Sequence, residues 1–131
     1  MSNRLADARI LIVDDDPDIR GSIELAMRGE GAQTMAVGDG NAAIHAALND
    51  HPDLVVLDMM LPMFSGLLVL EKIKEGADPP LVVMVTANEG RRHMAYAEAF
   101  GVDAYLYKPV PLQRLVDKVV ELLEARRNPQ D

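Results

Sequence analysis

The chain has 131 residues, with 21 Asp and Glu against 13 Lys and Arg, a formal charge of -8 and no cysteine. That length supports one domain with a real core, the charge disfavours a phosphate backbone as a direct partner, and the lack of thiols excludes disulfides and Cys-based zinc sites. No apolar run approaches the ~20 residues of a membrane helix and the opening MSNRLADAR has no signal-peptide core, so a cytoplasmic protein without membrane contact is expected.

In chain order, short apolar runs alternate with longer amphipathic ones. Ile10–Val13 predicts a first strand, ending on Asp14, Asp15 and Asp16. Asp16 before Pro17 reads as a helix N-cap with proline at the first helical position, and Ile19, Ile23, Ala26 and Met27 share one stripe of that helix. Thr34–Val37 predicts a weaker strand and NAAIHAALND, from Asn41, a second helix. Leu54–Leu57 predicts a strand that runs into Asp58; the next helix begins at Ser65, a residue able to cap it, and stops at Gly76. Leu81–Val85 precedes Thr86, RRHMAYAEAF is closed by Gly101, and Ala104–Tyr107 precedes Lys108. The last helix sets Leu112, Leu115, Val116, Val119, Leu122 and Leu123 against Gln113, Asp117, Lys118 and Glu121 on the opposite face. Five such βα units predict an α/β domain whose parallel sheet is covered by helices on both faces. The polar tail EARRNPQD is a frayed end or the start of a linker; the domain is expected over residues 6–127, with 1–5 and 128–131 as flexible termini.

In sheets of this kind ligands bind beyond the carboxyl ends of the strands. The residues that follow the apolar runs are Asp14 and Asp15, Asp58, Thr86 and Lys108, polar groups brought to one edge from four separate places. Carboxylates gathered at one point suit a hard divalent cation such as Mg2+, with Asp15 and Asp58 in direct contact and Asp14 holding a bound water. Without a cation, their mutual repulsion would push at least one carboxylate's pKa upward. A carboxylate beside Mg2+ can attack phosphorus to give an aspartyl phosphate, a reaction governed by positioning and charge neutralisation. Lys108 offers a charge and Thr86 a hydroxyl to phosphoryl oxygens.

The stretches ILIVDDDPDIR, LVVLDMMLPMFSG, VVMVTA and DAYLYKP, in this order and at this spacing, resemble the response-regulator receiver domain over nearly the whole chain. The resemblance implies a flavodoxin-like, doubly wound, five-stranded parallel sheet of order 2-1-3-4-5 with five helices. It implies Asp58 as the phosphoacceptor, Asp14 and Asp15 as the acidic pair, and Asp15 with the Met60 carbonyl as Mg2+ ligands. Lys108 would touch the phosphoryl group and precede a cis peptide bond to Pro109, and Thr86 and Tyr105 would form the pair that rearranges on phosphorylation. The donor would be a sensor histidine kinase or a histidine phosphotransferase, and the output a downstream protein target in a two-component or phosphorelay system. One phosphate per chain is a signal rather than turnover, so no enzyme is expected. The sequence departs from the family at FSG, Phe64–Gly66, in place of an Asp-Gly turn, and at Met60, a position often polar in the family; the resemblance implies that Met60 and Asn88 flank the approach of hydrolytic water.

A second class remains open at this point. A Mg2+-dependent haloacid-dehalogenase-like phosphohydrolase also uses a strand-end Asp-x-Asp, with Asp14 as nucleophile and Asp16 as acid/base; against it stand Asp18 two places later and no room for a substrate-selecting cap. An FMN binder of the same fold class needs a hydroxyl-rich phosphate loop after the first strand, which is missing from this sequence. Taken singly, Asp16 is explained by capping, and Thr86, Tyr105 and Lys108 by ordinary strand or surface roles. His45, His51 and His93 have no metal-ligand spacing, Met59, Met60, Met63, Met84 and Met94 read as core or loop filling, and Arg91 and Arg92 as a solvated helix start.

Overall fold

Val, Ile and Leu dominate the short runs because branched side chains pack well on a pleated surface, and each run forms a strand. The computed structural model describes residues 3–62, 64–87 and 91–127, so Met63 and Asn88 lie outside the described residues. The elements are β1 (Arg9–Val13), α1 (Pro17–Gly29), β2 (Gln33–Val37), α2 (Gly40–Asp50), β3 (Leu54–Asp58), α3 (Gly66–Lys74), β4 (Leu81–Thr86), α4 (Arg91–Ala99), β5 (Ala104–Tyr107) and α5 (Leu112–Arg127). All strand pairs are parallel, in the order β2-β1-β3-β4-β5. The register pairs Val13 with Leu57, Asp58 with Val85, and Thr86 with Tyr107. Asp14, Asp58, Thr86 and Lys108 therefore emerge along one edge.

Alternate strand residues face opposite layers. Ile10, Ile12, Val56 and Val83 pack against Ile23 and Met27 of α1 and Leu115 and Val119 of α5. Leu11, Val55, Leu57 and Met84 pack against Ala43 and Ala47 of α2, Val69 and Ile73 of α3, and Ala97 of α4. Burial on both faces explains why the central runs carry no polar residue, and why the edge strand β2, only half-buried, gives the weaker pattern. The expected caps are present: the Asp16 carboxylate accepts the Asp18 and Ile19 N–H groups at 2.9 and 3.3 Å, and Ser65 Oγ accepts the Leu68 N–H at 3.3 Å.

Two expectations need correction. Leu5 is buried rather than part of a flexible terminus; its N–H donates to the Glu30 carbonyl at 2.8 Å, and Arg4 pairs with Glu30 and Asp117. Ile19 and Leu112 lie on the apolar stripes of α1 and α5 yet are 37% and 41% exposed, because there they line a groove between the two helices. At the opposite, amino-terminal end of the sheet, Lys74 donates to Asp103 at 2.8 Å and to the Pro80 carbonyl at 2.7 Å, while Asp103 accepts the Val82 N–H at 2.8 Å.

The loop after β3 folds back so tightly that a Cβ on Gly66 would lie 2.5 Å from the Asp58 carbonyl oxygen and 2.6 Å from Met59 Cα, both backbone atoms. Gly66→Ala is expected to cost about 1–3 kcal/mol in urea unfolding. Gly21, inside α1 with nothing within 4 Å of a Cβ, gives the contrast: Gly21→Ala is expected to stabilise by about 0.5–1 kcal/mol. Equal effects of the two substitutions would contradict the packing described.

Candidate functional site

Asp14 follows β1 directly and is buried; its Oδ1 accepts the Asp16 N–H at 2.9 Å and its Oδ2 lies 3.2 Å from Lys108 Nζ. Asp58, the last residue of β3, is likewise buried; its Oδ1 accepts the Met60 N–H at 3.2 Å and its Oδ2 lies 3.2 Å from the same ammonium. Asp15 is exposed beside them. One carboxylate oxygen from each of Asp14, Asp15 and Asp58 falls within 4.8 Å of the others. Lys108 arrives on the loop after β5, with a cis peptide bond to Pro109.

The charges are not balanced. Burial drives the Asp58 pKa above the usual carboxylate value, and the nearby Asp14 charge adds to this; the Met60 N–H and Lys108 oppose it without cancelling it. Burial acts to discharge Lys108, but Asp58 and Asp14 outweigh it and hold the ammonium above its usual pKa. One lysine thus faces three carboxylates. Hard oxygen donors so arranged are what a divalent cation of the Mg2+ or Ca2+ type takes, so the donor set fits such an ion.

Next along the edge, Thr86 is fully buried and hydrogen-bonds the Tyr105 hydroxyl. Tyr105 also donates to Met59 Sδ at 3.9 Å and meets Tyr107 edge to face, with ring centroids 5.5 Å apart. Burial raises the Tyr105 pKa. The structure thus gathers Asp14, Asp15, Asp58 and Lys108, sets Thr86 and Tyr105 in contact beside them, and brings in Met60 by its backbone N–H. The Met60 side chain is 61% exposed. It does not gather Asp16, whose carboxylate is engaged in capping α1; this removes the acid/base needed by the phosphohydrolase alternative. His45 and His51 are exposed, as are Arg91 and Arg92. The Nδ1 of the half-buried His93 has no hydrogen-bond partner among the described residues.

Sequence reasoning passed over Arg20. Its Nη1 donates to the Asp14 carbonyl at 2.9 Å. A signal existed: a cation in the opening turns of a helix is disfavoured by the dipole, so an arginine there asks for a partner.

Comparison with known proteins agrees with this geometry. The family model for the response regulator receiver domain matches residues 10–120. The chain belongs to the response-regulator receiver domain family. The DNA-binding response regulator MtrA of Mycolicibacterium smegmatis is 38% identical over 120 residues, covering 92% of this chain and 51% of that protein. The probable transcriptional regulatory protein TcrX of Mycobacterium tuberculosis is 37% identical over 114 residues, covering 87% and 49%. This receiver domain therefore spans about half the length of the curated relatives it matches. A CheY-like receiver domain protein from Methanospirillum hungatei superposes with a TM-score of 0.90 at 28% identity, covering 94% of this chain and 98% of that one. No helix among the described residues is long and apolar enough to cross a membrane.

The raised Asp58 pKa makes the ionised carboxylate a burden on the metal-free fold. Below the usual carboxylate pKa both folded and unfolded chains are protonated and nothing is lost. As pH rises through that value towards the folded one, the unfolded chain ionises more readily and stability falls. Asp58→Asn is therefore expected to be more stable than the parent at pH 7 in chelator, with the difference closing below about pH 4; urea melts at both pH values measure it. A less stable variant at pH 7 would contradict the electrostatics described.

Proposed function

We propose that this receiver domain accepts one phosphoryl group on Asp58 from the phosphohistidine of a sensor kinase or phosphotransferase, and signals by changing the surface it offers to a downstream protein. The observation that carries this reading is the Lys108 ammonium held between Asp14 and Asp58 at 3.2 Å from each. In the transfer, an Asp58 carboxylate oxygen bonds to phosphorus as the phosphorus–nitrogen bond to the donor imidazole breaks, and the electron pair of that bond stays on the imidazole. Lys108 neutralises a phosphoryl oxygen, and the Thr86 hydroxyl donates to another. Asp15, Asp58 and the Met60 carbonyl would hold Mg2+, with Asp14 reaching it through a water. When bound, the ion supplies neutralisation of the carboxylates and of the incoming phosphoryl charge.

Thr86 and Tyr105 supply a readout. A Thr86 hydroxyl drawn to a phosphoryl oxygen gives up its bond to Tyr105, so the ring beside the exposed Tyr107 is freed to repack. The donor has a place to dock. A groove of about 610 Å3 between α1 and α5 is walled by Ile19 and Leu112 and reaches Lys108, so a helix seated there brings its histidine to the acidic edge.

With acetyl phosphate and Mg2+, the protein is expected to gain one base-labile phosphate that Asp58→Asn does not gain; equal labelling of that variant would overturn the assignment. Ile19→Arg is expected to lower transfer from a protein phosphohistidine donor, relative to labelling by acetyl phosphate, by about tenfold. An unchanged ratio would place the donor elsewhere.

A further inference from the structure

We propose that Arg20 is a positioning residue for the acidic site, acting from behind it through the backbone of Asp14. This rests on the receiver reading and names a residue that the reading does not use.

Every other polar group of Asp14 is already committed. Its N–H donates to the Val37 carbonyl at 3.2 Å, and its carboxylate oxygens take the Asp16 N–H and the Lys108 ammonium. The guanidinium of Arg20 takes the last one, the carbonyl oxygen, at 2.9 Å. That carbonyl belongs to the peptide joining Asp14 to Asp15. Its orientation sets where the Asp15 carboxylate stands, and Asp15 is exposed, with no packing to place it. A charge-assisted bond from a side chain anchored in α1 fixes that peptide against rotation.

Gly38 shows that the fold makes room for this bond. A Cβ there would lie 2.8 Å from Arg20 Nη1 and 3.8 Å from the Asp14 carbonyl oxygen. The berth of the guanidinium is thus the space a side chain at position 38 would fill. Coulomb attraction cannot be the reason for the arrangement, because a positive guanidinium beside the site opposes the binding of another cation. Its service is geometric.

Gly38→Ala and Arg20→Gln separate charge from position. The first pushes the flexible guanidinium aside and keeps its charge; the second removes both. Calorimetric titration with Mg2+ is expected to show each variant binding about tenfold more weakly than the parent, although Arg20→Gln relieves a repulsion. Combining them is expected to add nothing beyond Arg20→Gln alone, since Gly38→Ala acts only through Arg20. In metal-free protein the Asp16 amide, bonded to Asp14 Oδ1, is expected to exchange faster in both variants, while Arg20→Lys recovers part of each effect. Parental Mg2+ affinity in Arg20→Gln, or a Gly38→Ala defect undiminished in the Arg20→Gln background, would overturn the proposal. Should Gly38→Ala lower the melting temperature, Arg20→Gln and Arg20→Lys decide alone. Failure of the parent itself to take phosphate on Asp58 would instead count against the receiver function.

Discussion

The ammonium of Lys108 lies 3.2 Å from an Asp14 oxygen and 3.2 Å from an Asp58 oxygen, with Asp15 close by. Two buried carboxylates side by side carry a large desolvation cost, repaid only where a counter-charge and hydrogen bonds are fixed in place. Here one cation serves both, and backbone N–H groups of Asp16 and Met60 supply the rest. The balance still leaves Asp58 harder to ionise than a free carboxylate. A site so under-compensated favours what brings positive charge, which fits a divalent cation; a phosphoryl group on Asp58 would add negative charge for that ion and Lys108 to offset.

The rest of the molecule serves to hold that geometry. Parallel register sets Asp58 beside Val85 and Thr86 beside Tyr107, so the groups cannot slide apart without shifting buried strands. The Lys74–Asp103 pair and the Arg126 contacts to Asp78 and the Asp53 and Pro79 carbonyls tie down the opposite end of the sheet. These ties lie away from the acidic edge, while the mouth of that edge, with Met60 and Asp15 exposed, stays open to solvent.

Much of this was legible in the sequence. Doubly buried parallel strands have no polar face, so their runs stood out and the residues at or just past their ends could be named: Asp14, Asp58, Thr86, Lys108. Caps were legible for the same local reason, since Asp16 before Pro17 and Ser65 before Gly66 act on N–H groups two or three residues ahead. What was not legible depends on distant partners. Arg20 reaches the backbone of a loop, Leu5 joins a core cluster built from distant elements, and Ile19 and Leu112 follow helical periodicity yet stay exposed. Periodicity records which way a side chain points and is silent on whether anything lies there.

In the metal-free protein the Lys108 ammonium supplies the positive charge that a bound cation would otherwise bring to Asp14 and Asp58. Urea unfolding of Lys108→Met in chelator and in Mg2+ tests it most directly. Removing the ammonium leaves two buried carboxylates facing each other, and the metal-free variant is expected to lose about 3 kcal/mol. Mg2+ is expected to restore a good part of that loss and so to stabilise the variant more than the parent. A variant as stable as the parent in chelator, or one that gains no more from Mg2+ than the parent does, would contradict it.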